Sequence, residues 1–399
     1  MTIADLDFDL TDTELSVRET ARRFAMDVLR PVGIDMDKMT AEAAISKDSP
    51  YWGVFEKYNE LGFNTVDPDM APLDQARLNV IVSEELSKGD VGLALSLGVA
   101  GFPNMAAKAT GNPEVIEKFQ VGQLGCWAIT EPDHGSDMVD FDELAVGENG
   151  KRPRPNCIAK ADGNEYVISG QKSAWVSNGS IAETAALYCA VETHEGKTGG
   201  GVFVVPLDGP NVTRGKPLEK LGQRPLNQGE IFFDQVRIPA DNMVAGPENY
   251  SFMTSMTLVT ANCLMGVSFA GVAMAAFEMA LEYAKERVQG GVPIIQHQSV
   301  KARLFEMYRQ VEVARSMARR AYYYNMASGK VDLSVAITSK VTCTQAAFDV
   351  ASDAIQIFGG NGISREYPIE KLFRDARLSM IEDGCNEVLG LVGGDLIAA

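Results

Sequence analysis

Hydrophobic residues recur every three to four positions from Thr11 to about Leu124. They do so in TDTELSVRETARRFAMDVLRPV, through Leu15, Val17, Phe24, Val28 and Leu29, and again in LDQARLNVIVSEELSKGDVGLALSLGVAG. This spacing predicts amphipathic helices, the first opened by a Thr/Asp start and stopped by Pro31, the later stretch broken at Gly89. Between Cys126 and about Val244 the period shortens. EYVISG, TAALYCAV, GVFVVPL and GEIFFDQVRIP, bounded by Gly, Pro, Asn and Asp, predict strands of an antiparallel β domain. After Gly246 the helical period returns, with QHQSVKARLFEMYRQVEVARSMARRAYYYN as a long amphipathic run. The expected fold class is α+β, in three domains: a helical one over 1–124, a β one over 125–244 and a second helical one over 245–399. Without βαβ alternation, a doubly wound nucleotide fold is not supported.

Composition narrows the function. Lys+Arg 36 against Asp+Glu 54 gives a net charge of −18 in 399 residues, which argues against a nucleic-acid partner. Ser251–Phe277 carries no charge, but Thr254, Ser255, Thr257, Thr260, Asn262 and Ser268 make it a buried bundle helix rather than a membrane span. The six cysteines and three histidines are too scattered to frame a metal site, and no nucleophile elbow is present, so zinc and serine-hydrolase chemistry drop out. The acidic start MTIADLDFDLTDTE lacks export features, and the expected location is cytoplasmic. GKTGGG (Gly196–Gly201) reads as a hairpin turn. FGGNG (Phe358–Gly362) reads as a helix C-cap and turn, or as a place where backbone approaches a ligand. Glu382 and Asp383 are adjacent in LSMIEDGCNEVLG. They are either a solvated helix end or, if buried, a pair whose like charges raise at least one pKa.

Four blocks, CWAITEPDHGSD (Cys126–Asp137), YVISGQKSAWVSNG (Tyr166–Gly179), FFDQVRIPADNMVAG (Phe232–Gly246) and QIFGGNGISREYPIEKLFRDARLSMIEDG (Gln356–Gly384), together resemble the signature regions of the acyl-CoA dehydrogenase family. The resemblance implies a helical–β–helical fold with a C-terminal four-helix bundle, FAD as cofactor, and oxidation of an acyl-CoA to an enoyl-CoA. It also implies electron-transfer flavoprotein as acceptor and a homotetramer, or a dimer. It assigns the flavin to Trp127, Ile129, Thr130, Gly135, Ser136, Trp175 and Ser177, the last two expected on one face of a strand. Arg287, Gln298, Gln356 and Gly360 would hold the adenosine half of a neighbouring subunit's FAD, and Glu387 is a further cofactor-binding position.

The chain departs from the family pattern in ways that bear on substrate. The family's catalytic glutamate matches Asp383, one methylene shorter, and Glu382 stands where an aromatic is usual, so both Asp383 and Glu382 are candidates for the catalytic base. Lining the pocket, Glu382 would suit an unusual acyl group: cyclic, unsaturated or polar. Ala261 occupies the alternative base position of some relatives. Val259 and Asn262 replace the usual CoA-contacting Asp and Arg, and Gly290 replaces an aromatic at the expected subunit contact. The extra loop GENGKRPRPN (Gly147–Asn156) brings Lys151, Arg152 and Arg154, which could meet CoA phosphates or remain solvated. Two other readings keep the fold: a CoA-independent flavin oxidase or monooxygenase, and a silent flavin-binding subunit of a hetero-oligomer.

Overall fold

The computed structural model describes residues 6–65, 67–139 and 155–399. Lys151, Arg152 and Arg154 lie outside the described residues. The chain opens with α1 (Asp12–Phe24), α2 (Arg30–Met36), α3 (Ala41–Ala44), α4 (Tyr51–Leu61), α5 (Pro72–Gly89), α6 (Val91–Val99), α7 (Phe102–Ala109) and α8 (Pro113–Lys118). Thr11 and Glu14 form a capping box that starts α1. Pro31 does not stop the helix, as the sequence suggested. A π-helical turn over Ala25–Leu29 takes up the lost bond, and Pro31 sits in the first turn of α2, where its missing N–H is harmless. Gly89 does end α5, and Asp90 caps α6 through Leu93 N–H at 2.9 Å. Leu15 is exposed, and Glu14 is the residue that turns inward, to Arg77.

The middle of the chain forms β1 (Gly125–Ala128), β2 (Ile158–Asp162), β3 (Glu165–Lys172), β4 (Thr184–Glu192), β5 (Thr198–Pro206), β6 (Val212–Arg214), β7 (Ile231–Pro239) and β8 (Met243–Ala245). They make one sheet of order β6-β7-β3-β2-β4-β5-β8, and β1 lies beside β2 along the same edge of β4. The sheet is mixed rather than purely antiparallel, because both β1 and β2 pair with β4 in parallel. β4 reads as an unbroken apolar run because both its faces are covered. Ala186 and Tyr188 point to the helices, while Ala185, Leu187 and Cys189 point into the sheet's own core. GKTGGG is not all turn, since Thr198 to Gly201 already belong to β5, where a side chain at position 200 would collide with the Tyr250 ring.

The remainder is helical: α9 (Tyr250–Glu286), a short hairpin of β9 (Val288–Gln289) and β10 (Val292–Pro293), then α10 (Gln298–Ala327), α11 (Leu333–Phe358), α12 (Ile369–Ser379) and α13 (Asn386–Ala398). The uncharged stretch lies within the 37-residue α9, packed between α5, α10 and α11 and largely buried, as a bundle core helix should be. Small residues permit the close packing: a side chain at Gly271 would reach within 2.5 Å of Glu84 O on α5.

Candidate active site

Beyond β1 the chain runs into Ile129, Thr130 and Glu131, and a buried ion pair fixes its course. The Glu131 carboxylate accepts from Lys172 Nζ at 2.7 Å, Asn156 N–H at 2.6 Å and Cys157 N–H at 3.2 Å. Lys172 spends its other donors on Ile129 O at 3.1 Å and Tyr188 O at 2.5 Å. Two charges taken wholly out of water persist because every bonding direction is used. The pair clamps the T-E-P segment to the G-Q-K strand, and Ser173 N–H completes the join at Thr130 O, 3.0 Å.

Trp175 and Ser177 are not on a strand. β3 ends at Lys172, Trp175 sits in a turn, and Ser177 makes an isolated bridge with Gln228. Gln228 Nε2 holds both, donating to Trp175 O at 3.1 Å and Ser177 Oγ at 3.3 Å. The Trp175 indole is 56% exposed beside the joined segments, an open aromatic face that suits an isoalloxazine. Trp127 differs from the expectation of a flavin-facing indole: it is 8% exposed and stacked on Phe102 with centroids 5.4 Å apart, so it serves as a wall. Ile129 is buried, Gly135 is exposed, and Ser136 Oγ accepts Cys385 N–H at 3.1 Å. That bond ties the Ser136 loop to the turn carrying the two acids. Thr130, Trp175 and Ser177 thus come together, while Ser136 joins the acid turn, giving hydroxyls and an aromatic plane of the kind a flavin needs.

The acid turn is sharply shaped. Asp383 has φ 54° and Gly384 φ 91°, both left-handed, a conformation aspartate tolerates better than most residues. The two carboxylates therefore part. Asp383 lines a cavity of about 380 Å³ together with Trp127, Thr260, Ala261, Leu264 and Tyr322. Glu382 is not among the lining residues, and its Oε1 accepts from Gln223 Nε2 at 2.5 Å, which corrects the expectation that it faces the acyl group. Burial raises the Asp383 pKa to about 6, opposed by the Lys340 ammonium. Burial, then the charge of Asp383, pushes Glu382 up to about 7. Lys220 is brought down to about 7 by burial, against the pull of Glu382 and Asp375, and donates to Gln228 Oε1 at 2.8 Å.

Asn262 and Val259 are buried. Asn262 Nδ2 donates to Leu258 O at 3.0 Å and to Asp383 O at 3.4 Å, so it steadies the acid turn rather than reaching for CoA. Lys340, the only charged residue between Asp332 and Asp349, was not singled out from the sequence. It is fully buried on α11, and its Nζ donates to Gly384 O at 2.7 Å and Asn386 Oδ1 at 2.8 Å.

Arg287, Gln298, Gln356 and Gly360 do not join this group. All are exposed at the far end of the bundle, where Tyr283 stacks on Phe358 with centroids 4.0 Å apart. Arg287 caps α9 at a position 25 residues past Asn262 (287 − 262), roughly 37 Å along a helix rising ~1.5 Å per residue. Gly290 and Gly291, with φ 66° and 83°, make the tight turn between β9 and β10. Gly359 caps α11 at φ 61°, so FGGNG begins as a C-cap and turn. Glu387 is exposed on α13, near enough to act on Lys340.

Residues 126–236 match the family described as acyl-CoA dehydrogenase, middle domain, and residues 253–395 that described as acyl-CoA dehydrogenase, C-terminal domain. The short-chain specific acyl-CoA dehydrogenase of Megasphaera elsdenii is 30% identical over 98% of this chain and 100% of its own length. Cyclohexane-1-carbonyl-CoA dehydrogenase of Geobacter metallireducens is 29% identical over 96% and 97%. The solved structure of butyryl-CoA dehydrogenase from Megasphaera elsdenii superposes with a TM-score of 0.83 at 28% identity, covering 99% of this chain and 100% of that one.

Proposed function

Because the chain belongs to the acyl-CoA dehydrogenase family, FAD-dependent oxidoreductases acting on CH–CH groups, we propose that it oxidises a compact, cyclic or short-chain acyl-CoA with Asp383 as the base. The observation that carries this reading is the opening of Asp383, and not Glu382, into the cavity beside Trp127 and Ala261. The Geobacter relative acts by name on a cyclohexane thioester, which supports a ring as the acyl group.

Asp383 takes the α-proton while its backbone N–H helps to polarise the thioester carbonyl. Its pKa of about 6 leaves it ionised at neutral pH yet basic enough to accept a proton. FAD, when bound, supplies the two-electron acceptor for the hydride from the β-carbon. Thr130, Ser136, Trp175 and Ser177 would hold the flavin ring and its polar edge, with Ile129 and Gly135 alongside and Trp127 behind the acyl group. Arg287, Gln298, Gln356 and Gly360 are exposed at the far end of the bundle, with Arg287 beyond the end of α9, which supports a homotetramer or dimer in which they hold the adenosine half of a neighbour's FAD. An electron-transfer flavoprotein as acceptor and a cytoplasmic location complete the proposal.

The test is an anaerobic titration of the flavin-loaded protein with straight, branched, cyclic and unsaturated acyl-CoAs, following the oxidised flavin band. Bleaching by cyclic or short thioesters is expected. No bleaching by any thioester in a protein that retains FAD overturns the reading in favour of a silent subunit, and bleaching by nitroalkanes instead favours a CoA-independent oxidase.

A further inference from the structure

The carboxylate proposed as base stands on an unusual piece of backbone, and one buried cation holds that piece from beneath. Lys340 has no exposed surface. Its ammonium reaches Gly384 O at 2.7 Å and Asn386 Oδ1 at 2.8 Å. Asn386 is itself fixed, its Nδ2 donating to Thr344 Oγ1 at 3.1 Å and its N–H to Met380 O at 3.0 Å. Thr344 Oγ1 in turn donates to Lys340 O at 2.8 Å, so the lysine, the threonine and the asparagine close a small network on α11 and the start of α13. The left-handed pair Asp383–Gly384 is the part of the turn this network grips.

We propose that Lys340 is the positioning residue of the catalytic carboxylate, fixing the left-handed turn that aims Asp383 into the cavity and holding a positive charge behind it. The inference rests on Asp383 being the base. The ionisable groups that bear on Lys340 are Asp383, Glu382, Cys385 and Glu387, and Asp383 is the strongest of them. Burial lowers the Lys340 pKa to about 8 against the opposing pull of these acids, so it stays charged at neutral pH. A cation there favours ionised Asp383 and keeps it able to accept a proton on the acid side of neutrality.

Lys340→Met removes the charge and both bonds at similar length. In the flavin-loaded enzyme the acid limb of kcat/KM is expected to move to higher pH by about one unit, a roughly tenfold loss below the limb. kcat should fall with the thioester KM nearly unchanged, and hydrogen exchange of the Met380–Asn386 amides, read by mass spectrometry, should quicken. Lys340→Arg keeps the charge in a different shape. It is expected to leave the acid limb in place and still lower kcat. An unmoved limb with unchanged exchange in Lys340→Met overturns the proposal. If that variant does not load flavin, Lys340→Arg with wild-type kcat overturns it instead. Asp383→Asn separates the two claims. Retained turnover in Asp383→Asn defeats the base assignment, whereas a dead Asp383→Asn beside an unaltered Lys340→Met defeats the positioning role alone.

Discussion

A carboxyl held at a raised pKa destabilises the fold once it ionises, and Asp383 makes this measurable. Its pKa is about 6 in the folded chain against a model value of 3.8, because burial disfavours the anion. The direction follows from linkage: the folded state binds the proton more tightly than the unfolded one, so stability is greatest below pH ~3.8 and is lost as pH rises towards 6. The difference of roughly 2 units corresponds to about 3 kcal/mol at ~1.36 kcal/mol per unit. Part of Asp383 opens to the cavity, so about 2 kcal/mol is the working figure. Asp383→Asn, which cannot ionise, should therefore stabilise the protein at pH 8 by about 2 kcal/mol and by nearly nothing at pH 4. In a chain of this size that is a rise in Tm of roughly 2–3 °C. The assay is thermal unfolding of the FAD-loaded wild type and variant at both values. An Asn variant that is less stable at pH 8, or that differs equally at pH 4 and pH 8, refutes the argument, because the carboxyl would then not be the strained group described. The same substitution should slow turnover by about 10²–10⁴, the usual contribution of a positioned base.

Glu382 and Asp383 should lose their protons in two steps, near pH 6 and pH 7, so kcat/KM of the wild type should climb in two stages. Glu382→Gln mimics the protonated acid and should leave one stage only; a two-stage profile in that variant contradicts the pairing. Lys172→Met strands the Glu131 carboxylate in the core and should cost about 3–5 kcal/mol, with loss of bound flavin, as measured by denaturation and by the flavin-to-protein absorbance ratio. Ala261 lines the same cavity as Asp383, so Ala261→Glu placed in an Asp383→Ala background should recover part of the lost turnover, whereas Glu at the exposed position 252 should not.

What the sequence made legible were features that repeat along the chain. Helical and strand periods located the α–β–α order, and the apolar length of Ser251–Phe277 located the central helix. Local backbone was harder. Pro31 appeared to end a helix that in fact continues, because a π-helical turn that absorbs a proline has no periodic signature. The parallel pairing of β1 and β2 with β4 came from long-range topology that no short window carries. At the site, the identity of Asp383 was readable but its direction was not. A single left-handed residue sends Asp383 to the cavity and Glu382 to Gln223, and that choice depends on contacts from α9, α11 and the β6–β7 connection. Glu131 and Lys172 stood inside the quoted motifs as mere companions of Thr130 and Trp175, although their buried pair is what joins the two segments. Lys340 carried one usable signal: a lone cation in a stretch with no other charge between Asp332 and Asp349 is costly unless something nearby needs it.

The proposed function turns on Asp383 removing the α-proton of a CoA thioester. The direct measurement is exchange of that proton in D₂O, with cyclohexane-1-carbonyl-CoA and butyryl-CoA incubated anaerobically with wild-type protein and with Asp383→Asn, and deuterium at the α-carbon read by mass spectrometry. Exchange by the wild type that disappears in Asp383→Asn, with FAD content and thioester binding intact, is the predicted result. Exchange that persists in Asp383→Asn would mean that another group takes the proton, and the claim would be wrong.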